Sequence, residues 1–246
     1  MSRDPSWRLL GQPRKGGITI ISDHASNRVP DGVDLGIPAR HLDEHIAIDI
    51  GVAAVADLMV AQGGADTAWL GHVSRLVCDL NRDEFSPGVI PETSDLVPIP
   101  GNVLDAAGRA ARLARYHRPY HEALEAMLAA NEPALILSLH SFTPSLSEHP
   151  QEQRPWHIGV LYNRDARAPH IALPWLRDQP GLCVGDQQPY SGHVLNYSMD
   201  RHGEGHGRLY LGVELRQDLI SGPAGQAEWA ARLSALCAHV ASASGA

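Results

Sequence analysis

Residues 134–143 read Ala-Leu-Ile-Leu-Ser-Leu-His-Ser-Phe-Thr, a nearly uninterrupted apolar run that stops at His140 and Ser141. Pro133 closes the helical stretch before it, so a new element begins here. A strand apolar on both faces must be covered on both, which is the pattern of a parallel sheet layered between helices. Working outward, similar runs occur at 17–22, 73–80, 156–162, 181–185 and 209–215. Between them the apolar residues recur at helical spacing. From His41 to about Gln62 they are Leu42, Ile46, Val52, Val55 and Leu58, and from Gln226 to Ala241 they are Trp229, Leu233, Leu236 and Val240. Two further helices are expected at 106–130, interrupted at Pro119, and at 167–179, which contains Pro169 and Pro174. The alternation predicts one α/β domain over 1–246, with a mixed, mostly parallel central sheet flanked by helices. Two segments read as irregular: 86–102, with prolines at 87, 91, 98 and 100, and 187–207, rich in Gly, Tyr, Asn and His. Long loops of this kind are often lids or binding loops.

Composition narrows the function. The 246 residues are 43% hydrophobic and 20% charged, which is globular, and the net charge of −8 disfavours nucleic acid or an anionic membrane as partner. No apolar run approaches the roughly 20 residues of a membrane span, and the polar start shows no signal-peptide core. Three widely spaced cysteines, Cys78, Cys183 and Cys237, form neither a disulfide framework nor a zinc ribbon and fit a reducing cytoplasm. Histidine, at 14, is the unusual count, and it is the commonest metal ligand and acid/base group.

In open α/β sheets ligands sit beyond the carboxyl ends of the strands, so the polar residues at those ends are the ones that matter. They fall in Ser22-Asp23-His24-Ala-Ser-Asn27 after the first strand, Asp79-Leu-Asn81-Arg82 after the second and His140-Ser141-Phe-Thr143 after the central one, with Glu214 and Arg216 on the last. Two histidines on separate strands, with a carboxylate or third nitrogen, can hold a divalent metal and leave one position open. A further carboxylate can take a proton from water, and an arginine can hold a substrate or a developing oxyanion. For the third ligand, His45 and Asp49 stand four apart on the expected first helix, and Asn27 is a weaker donor three residues past His24. A single histidine after a strand is more often structural than ligating; it is the convergence with Glu214 that favours a site. His117 and His121 are also four apart, but their neighbours read as a basic face, and Arg82 and Arg216 have possible partners in Asp79 and Asp218. A serine-hydrolase elbow, a Walker lysine and a Rossmann fingerprint are all missing from the sequence.

Eight blocks give the chain a family resemblance. They are Ser22-Asp-His-Ala-Ser-Asn-Arg-Val-Pro30, His45-Ile-Ala-Ile-Asp-Ile-Gly51, Ser74-Arg-Leu-Val-Cys-Asp-Leu-Asn-Arg82 and Tyr116-His-Arg-Pro-Tyr-His121. The others are Leu139-His-Ser-Phe-Thr-Pro144, Arg154-Pro-Trp-His-Ile-Gly-Val-Leu-Tyr-Asn163, Val184-Gly-Asp-Gln-Gln-Pro-Tyr-Ser-Gly192 and Val213-Glu-Leu-Arg-Gln-Asp-Leu-Ile220. In this order they resemble the N-formylglutamate amidohydrolases, themselves similar to the zinc carboxypeptidases and aspartoacylases with their phosphorylase/hydrolase-like fold. The resemblance implies metal ligation by His24 and His140, carboxylate binding or oxyanion polarisation by Arg82, and water activation by Glu214. Asn27 stands where the peptidases place a metal-ligating glutamate, so the third ligand lies among Asn27, His45 and Asp49. The expected cofactor is a divalent metal, zinc first, and the expected substrate a small N-acyl amino acid, with N-formyl-L-glutamate in front. Asn81, Ser141, Tyr190, His193 and Arg216 are expected to contact it. The rivals are a carboxypeptidase-like or aspartoacylase-like hydrolase of another acyl group, and a non-catalytic binding protein on the same fold.

Overall fold

In a computed structural model, which describes residues 4–245, the chain forms nine strands and six α-helices among those residues. In chain order they are β1 (Trp7–Gly11), β2 (Ile18–Ser22), α1 (Val52–Ala61), β3 (Thr67–Gly71), β4 (Thr93–Ser94), β5 (Val97–Pro98), α2 (Ala106–Arg112), α3 (Arg118–Asn131) and β6 (Leu135–Phe142). Then follow β7 (Ile158–Leu161), α4 (Arg167–Arg177), β8 (Val184–Asp186), α5 (Tyr197–His202), β9 (Tyr210–Arg216) and α6 (Pro223–Ala243). Seven strands make one sheet in the order β1-β3-β2-β6-β9-β7-β8. The pairs β2–β3, β2–β6, β6–β9 and β7–β8 are parallel, while β1–β3 and β7–β9 are antiparallel. The sheet is thus mixed and mostly parallel, in a single-domain α/β fold.

Strand periodicity sorts the side chains into two cores. Leu135, Leu137 and Leu139 of β6, with Leu211, Val213 and Leu215 of β9, pack against Val52 and Val55 of α1 and Trp229, Leu233 and Leu236 of α6. On the other face Ile21, Trp69, Ile136 and Tyr210 meet Tyr120, Leu124 and Leu128 of α3. His140 and Glu214 share the parity of Ile136 and Tyr210, so both project onto this second face at the carboxyl ends of their strands.

Several expected elements are placed differently. The strand expected at 73–80 is a series of turns, and the strand lies just before it in the chain, β3 at Thr67–Gly71. Val73, Leu76, Val77 and Leu80 are buried all the same. Turn bonds and side chains rather than a ladder satisfy this backbone: Val77 and Cys78 N–H donate to Ser74 O and Asp79 N–H to Val89 O, while Ser74 Oγ accepts from Leu76 N, Asn102 Nδ2 donates to Leu76 O, and Arg112 donates to Val77 O. A short buried apolar run carries the same pattern in either backbone. The helix expected at 41–62 is α-helical only over Val52–Ala61, because Gly51 takes φ +86 and lies against Ile220, where a Cβ would meet its carbonyl oxygen at 2.3 Å. His45 and Asp49 therefore precede the helix and share no helical face. The expected interruption at Pro119 is absorbed by one π-helical turn, Leu113–His117, between α2 and α3. The two irregular segments do contain structure: the β4–β5 hairpin in one and α5 in the other.

Candidate active site

The pocket at the carboxyl end of β6 and β9 is walled by His24, His45, Asp49, Arg75, Asp79, Asn81, Arg82, His140, Ser141, Phe142, Thr143, Tyr190, Leu195 and Glu214. Its row of chemistry is set by register. His140 pairs with Glu214 across β6–β9, and Glu214 pairs with Gly159 across β9–β7. A Cβ at Gly159 would lie 2.0 Å from Gln188 O, so the absent side chain lets the 187–190 segment cross close over the strand and deliver Tyr190.

Among the described residues His24, Asp49 and His140 form the one group able to hold a metal ion, with one donor atom from each lying within 4.8 Å of the others. Asp49 reaches this position through its backbone: its N–H donates to His24 O at 3.0 Å, and Ser141 Oγ donates to Ile50 O at 3.0 Å. Its Oδ2 lies 3.4 Å from His24 Nδ1 and 2.9 Å from His140 Nδ1. Each imidazole turns its other nitrogen to a carboxylate of its own, His24 Nε2 to Asp79 Oδ1 at 2.7 Å and His140 Nε2 toward Asp23 Oδ2 at 3.5 Å. For His24 this is the hydrogen bond that orients Nδ1 toward a ligand position; for His140 the carboxylate is in place but not yet within hydrogen-bond distance.

The donor set fits a divalent ion. Nitrogen and oxygen donors roughly 2.0–2.2 Å from a tetrahedral ion stand about 3.4 Å apart, which is the His24–Asp49 separation. His24 Nδ1 is buried without a hydrogen-bond partner, a costly state unless something else engages it. Protonation tells the same story. Burial and the Arg75 charge oppose protonating His24, yet the Asp79 and Asp49 carboxylates outweigh them and its pKa is raised. Burial likewise opposes charge on His140, but contacts with Asp23 and Asp49 hold its pKa well above the ordinary histidine range. Against burial, which raises it, the two imidazoles hold Asp49 far below the usual carboxylate range. A divalent cation held by these three residues would have to displace the protons that the two imidazoles carry.

Arg75 closes the cluster, donating to Asp49 Oδ1 at 3.2 Å and to Asp79 Oδ2 at 3.0 Å. The sequence reading gave no role to Arg75 or Asp23, and it weighed Asp79 only as a partner for Arg82. The available signal for Arg75 and Asp79 is a pair of charges inside the apolar run 73–80, since buried charges are paired. Glu214 is half-buried, its Oε2 is buried without a partner, and its pKa is raised to about 7, chiefly by desolvation.

The remaining expected residues divide. Asn81 lines the pocket and accepts from Ser198 N at 2.9 Å, which anchors α5. Arg82 lines it with Nε 3.9 Å from Asp79, and His45 lines it with Nε2 3.1 Å from Asp95 Oδ2, outside the metal group. Tyr190 lines it and accepts at its hydroxyl oxygen from Arg154 at 2.9 Å. Three expected residues are not in the pocket wall. Asn27 donates to Asp43 at 3.0 Å, His193 pairs with Asn163 at 3.1 Å, and Arg216 forks onto Asp218 at 2.8 and 3.2 Å. Asn27 and Arg216 are turned away because each has a carboxylate beside it.

A sequence profile described as N-formylglutamate amidohydrolase matches residues 17–221. The chain belongs to the N-formylglutamate amidohydrolase family. It is similar, at 29% identity and a TM-score of 0.90, to the gene product Atu2144 from Agrobacterium tumefaciens, over 98% of this chain and 97% of that one. It also has the fold of N-formylglutamate amidohydrolase from Ralstonia eutropha JMP134, with a TM-score of 0.73, 20% identity and coverage of 97% and 98%. A search of curated protein sequences finds no match. The family is one of amidohydrolases, so this chain is an enzyme of that class.

Proposed function

We propose that the chain hydrolyses the amide bond of an N-acyl amino acid, N-formyl-L-glutamate in the first place, with a divalent metal, zinc first, held by His24, Asp49 and His140. The observation that carries the reading is Glu214. It is a half-buried glutamate whose Oε2 is buried and unpartnered and whose pKa is raised to about 7, set one strand from His140 in the same pocket. A divalent cation in such a donor set supplies Lewis acidity, which polarises a carbonyl and makes water more acidic. Glu214 takes the proton from water as its oxygen adds to the formyl carbon. It returns that proton to the nitrogen as the C–N bond breaks, giving formate and the free amino acid.

Substrate recognition is local, because a protein of net charge −8 does not attract an anion globally. The pocket wall supplies Arg82, while Arg75 beside it is engaged by Asp49 and Asp79. Behind it Arg154 is buried, has no carboxylate within ion-pair distance among the described residues, and donates to the Tyr190 hydroxyl oxygen. That leaves the phenolic proton free to be donated into the pocket.

The test is formate release from N-formyl-L-glutamate and from N-formyl-L-glutamine by zinc-loaded protein. Preference for the dianion is expected, with Glu214→Gln lowering kcat by roughly 10²–10⁴-fold at unchanged zinc content. Full activity in that variant would remove Glu214 from the proton path.

A further inference from the structure

His140 differs from His24 in one respect. The carboxylate behind His24 is clamped by Arg75, whereas Asp23 behind His140 makes no ion pair with an arginine or lysine among the described residues. Two hydroxyls hold it instead. Tyr120 Oη donates to Asp23 Oδ1 at 2.7 Å from α3, and Ser198 Oγ donates to the same oxygen at 2.9 Å from α5. Burial and then the Asp23 charge push Tyr120 well above the usual tyrosine range, so its proton stays on the hydroxyl. With Oδ1 doubly engaged, Oδ2 is left facing His140 Nε2 at 3.5 Å, and both of these buried atoms lack a hydrogen-bond partner.

The distances on the two sides of the ring are complementary. His140 Nδ1 is 2.9 Å from Asp49 Oδ2, about half an ångström less than a tetrahedral ion between them requires. On the far side the 3.5 Å gap to Asp23 exceeds a charge-assisted N–H···O bond by a similar amount.

From this geometry we propose that Asp23 is a positioning residue for the metal centre: anchored by Tyr120 and Ser198, it takes up the Nε2–H of His140 when the ring yields to a cation at Nδ1. The inference rests on the metal reading of the site. It makes α3 and α5 part of the machinery, since the hydroxyls that aim Asp23 come one from each. A neutral amide at position 23 either presents NH₂ to Nε2 or a carbonyl without the charge, and both weaken His140 as a ligand.

The experiment measures zinc affinity by competition with a chromophoric chelator in the wild-type protein, His140→Ala, Asp23→Asn and the Tyr120→Phe/Ser198→Ala double variant. The downfield proton resonance of the His140 Nε2–H is recorded in the zinc form. Wild type is expected to bind and His140→Ala to lose binding. Asp23→Asn should bind about 10–100-fold more weakly, with the Nε2–H resonance shifted upfield, and the double variant should fall between. If His140→Ala binds zinc as tightly as wild type, the metal reading fails and this inference with it. If wild type binds at His140 but Asp23→Asn keeps its affinity and its resonance, only the role of Asp23 is overturned. Should Asp23→Asn not fold, wild-type affinity in the double variant overturns it equally.

Discussion

Arg75 shows how much a single side chain holds together here. Its guanidinium bridges Asp49 and Asp79, two carboxylates that are both more than nine-tenths buried. Breaking a buried ion pair leaves an uncompensated charge, so Arg75→Met should cost the metal-free protein about 3 kcal/mol in urea unfolding at pH 7. Tyr190 is a milder case. Its hydroxyl already accepts from Arg154, so its own proton is the group offered to substrate. Tyr190→Phe should raise KM for N-formyl-L-glutamate about tenfold and leave kcat within a small factor, as loss of one hydrogen bond to a charged group does. At this scale the sequence told much about His24, His140 and Glu214, because each directly ends or lies within an apolar strand. It told less about Asp49, because its approach depends on backbone bonds to His24 and Ile50 that no local pattern encodes. The fork of Arg216 onto Asp218, two residues away, is by contrast a local pairing that the sequence offered as an alternative.

Among the elements, the buried strands β2, β6 and β9 were legible as continuous apolar runs, and α6 by its stripe. Segment 73–80 was not, since turns held by local backbone bonds and by Ser74, Asn102 and Arg112 bury the same residues that a strand would. The short strand β3 beside it ends at Gly71, where a Cβ would stand 2.0 Å from Asp23 O. Gly71→Ala must push the Asp23–His24 turn aside, and it should weaken zinc binding as well as lower the melting temperature. A distant substitution of equal thermal effect, measured beside it, separates the two losses. The contact of α3 with the end of α5 and the segment after it depends on Glu125, which accepts from His202 at 2.9 Å and from Arg208 at 2.7 Å. Burial works against its charge, but these partners lower its pKa to about 2. A depressed carboxyl stabilises the fold fully above its unfolded value near 4.5 and loses that contribution as pH falls toward 2. Glu125→Gln should therefore cost about 2 kcal/mol at pH 7, after allowance for its partial exposure, and progressively less below pH 4.5.

For the whole molecule, the mixed seven-stranded sheet brings residues from four separate stretches of chain to one edge: His24, Asp49, His140 and Glu214. No helix among the described residues is long and apolar enough to cross a membrane. The net charge of −8 opposes an anion at long range, whereas Arg82 in the pocket wall acts at short range, so salt should weaken capture of an anionic substrate less than it weakens exposed charge pairs elsewhere. A ligand that binds only the folded state raises stability by mass action, about 2.7 kcal/mol at a hundred times Kd, so zinc should raise the melting temperature of the wild-type protein and not of His140→Ala. The most direct test is glutamate release from N-formyl-L-glutamate by purified protein with zinc, after chelation, and after zinc is returned. A metal-dependent amidohydrolase turns over, stops on chelation and resumes with zinc. Turnover untouched by chelation, or none from formyl, acetyl and aspartyl substrates under any divalent ion, contradicts it.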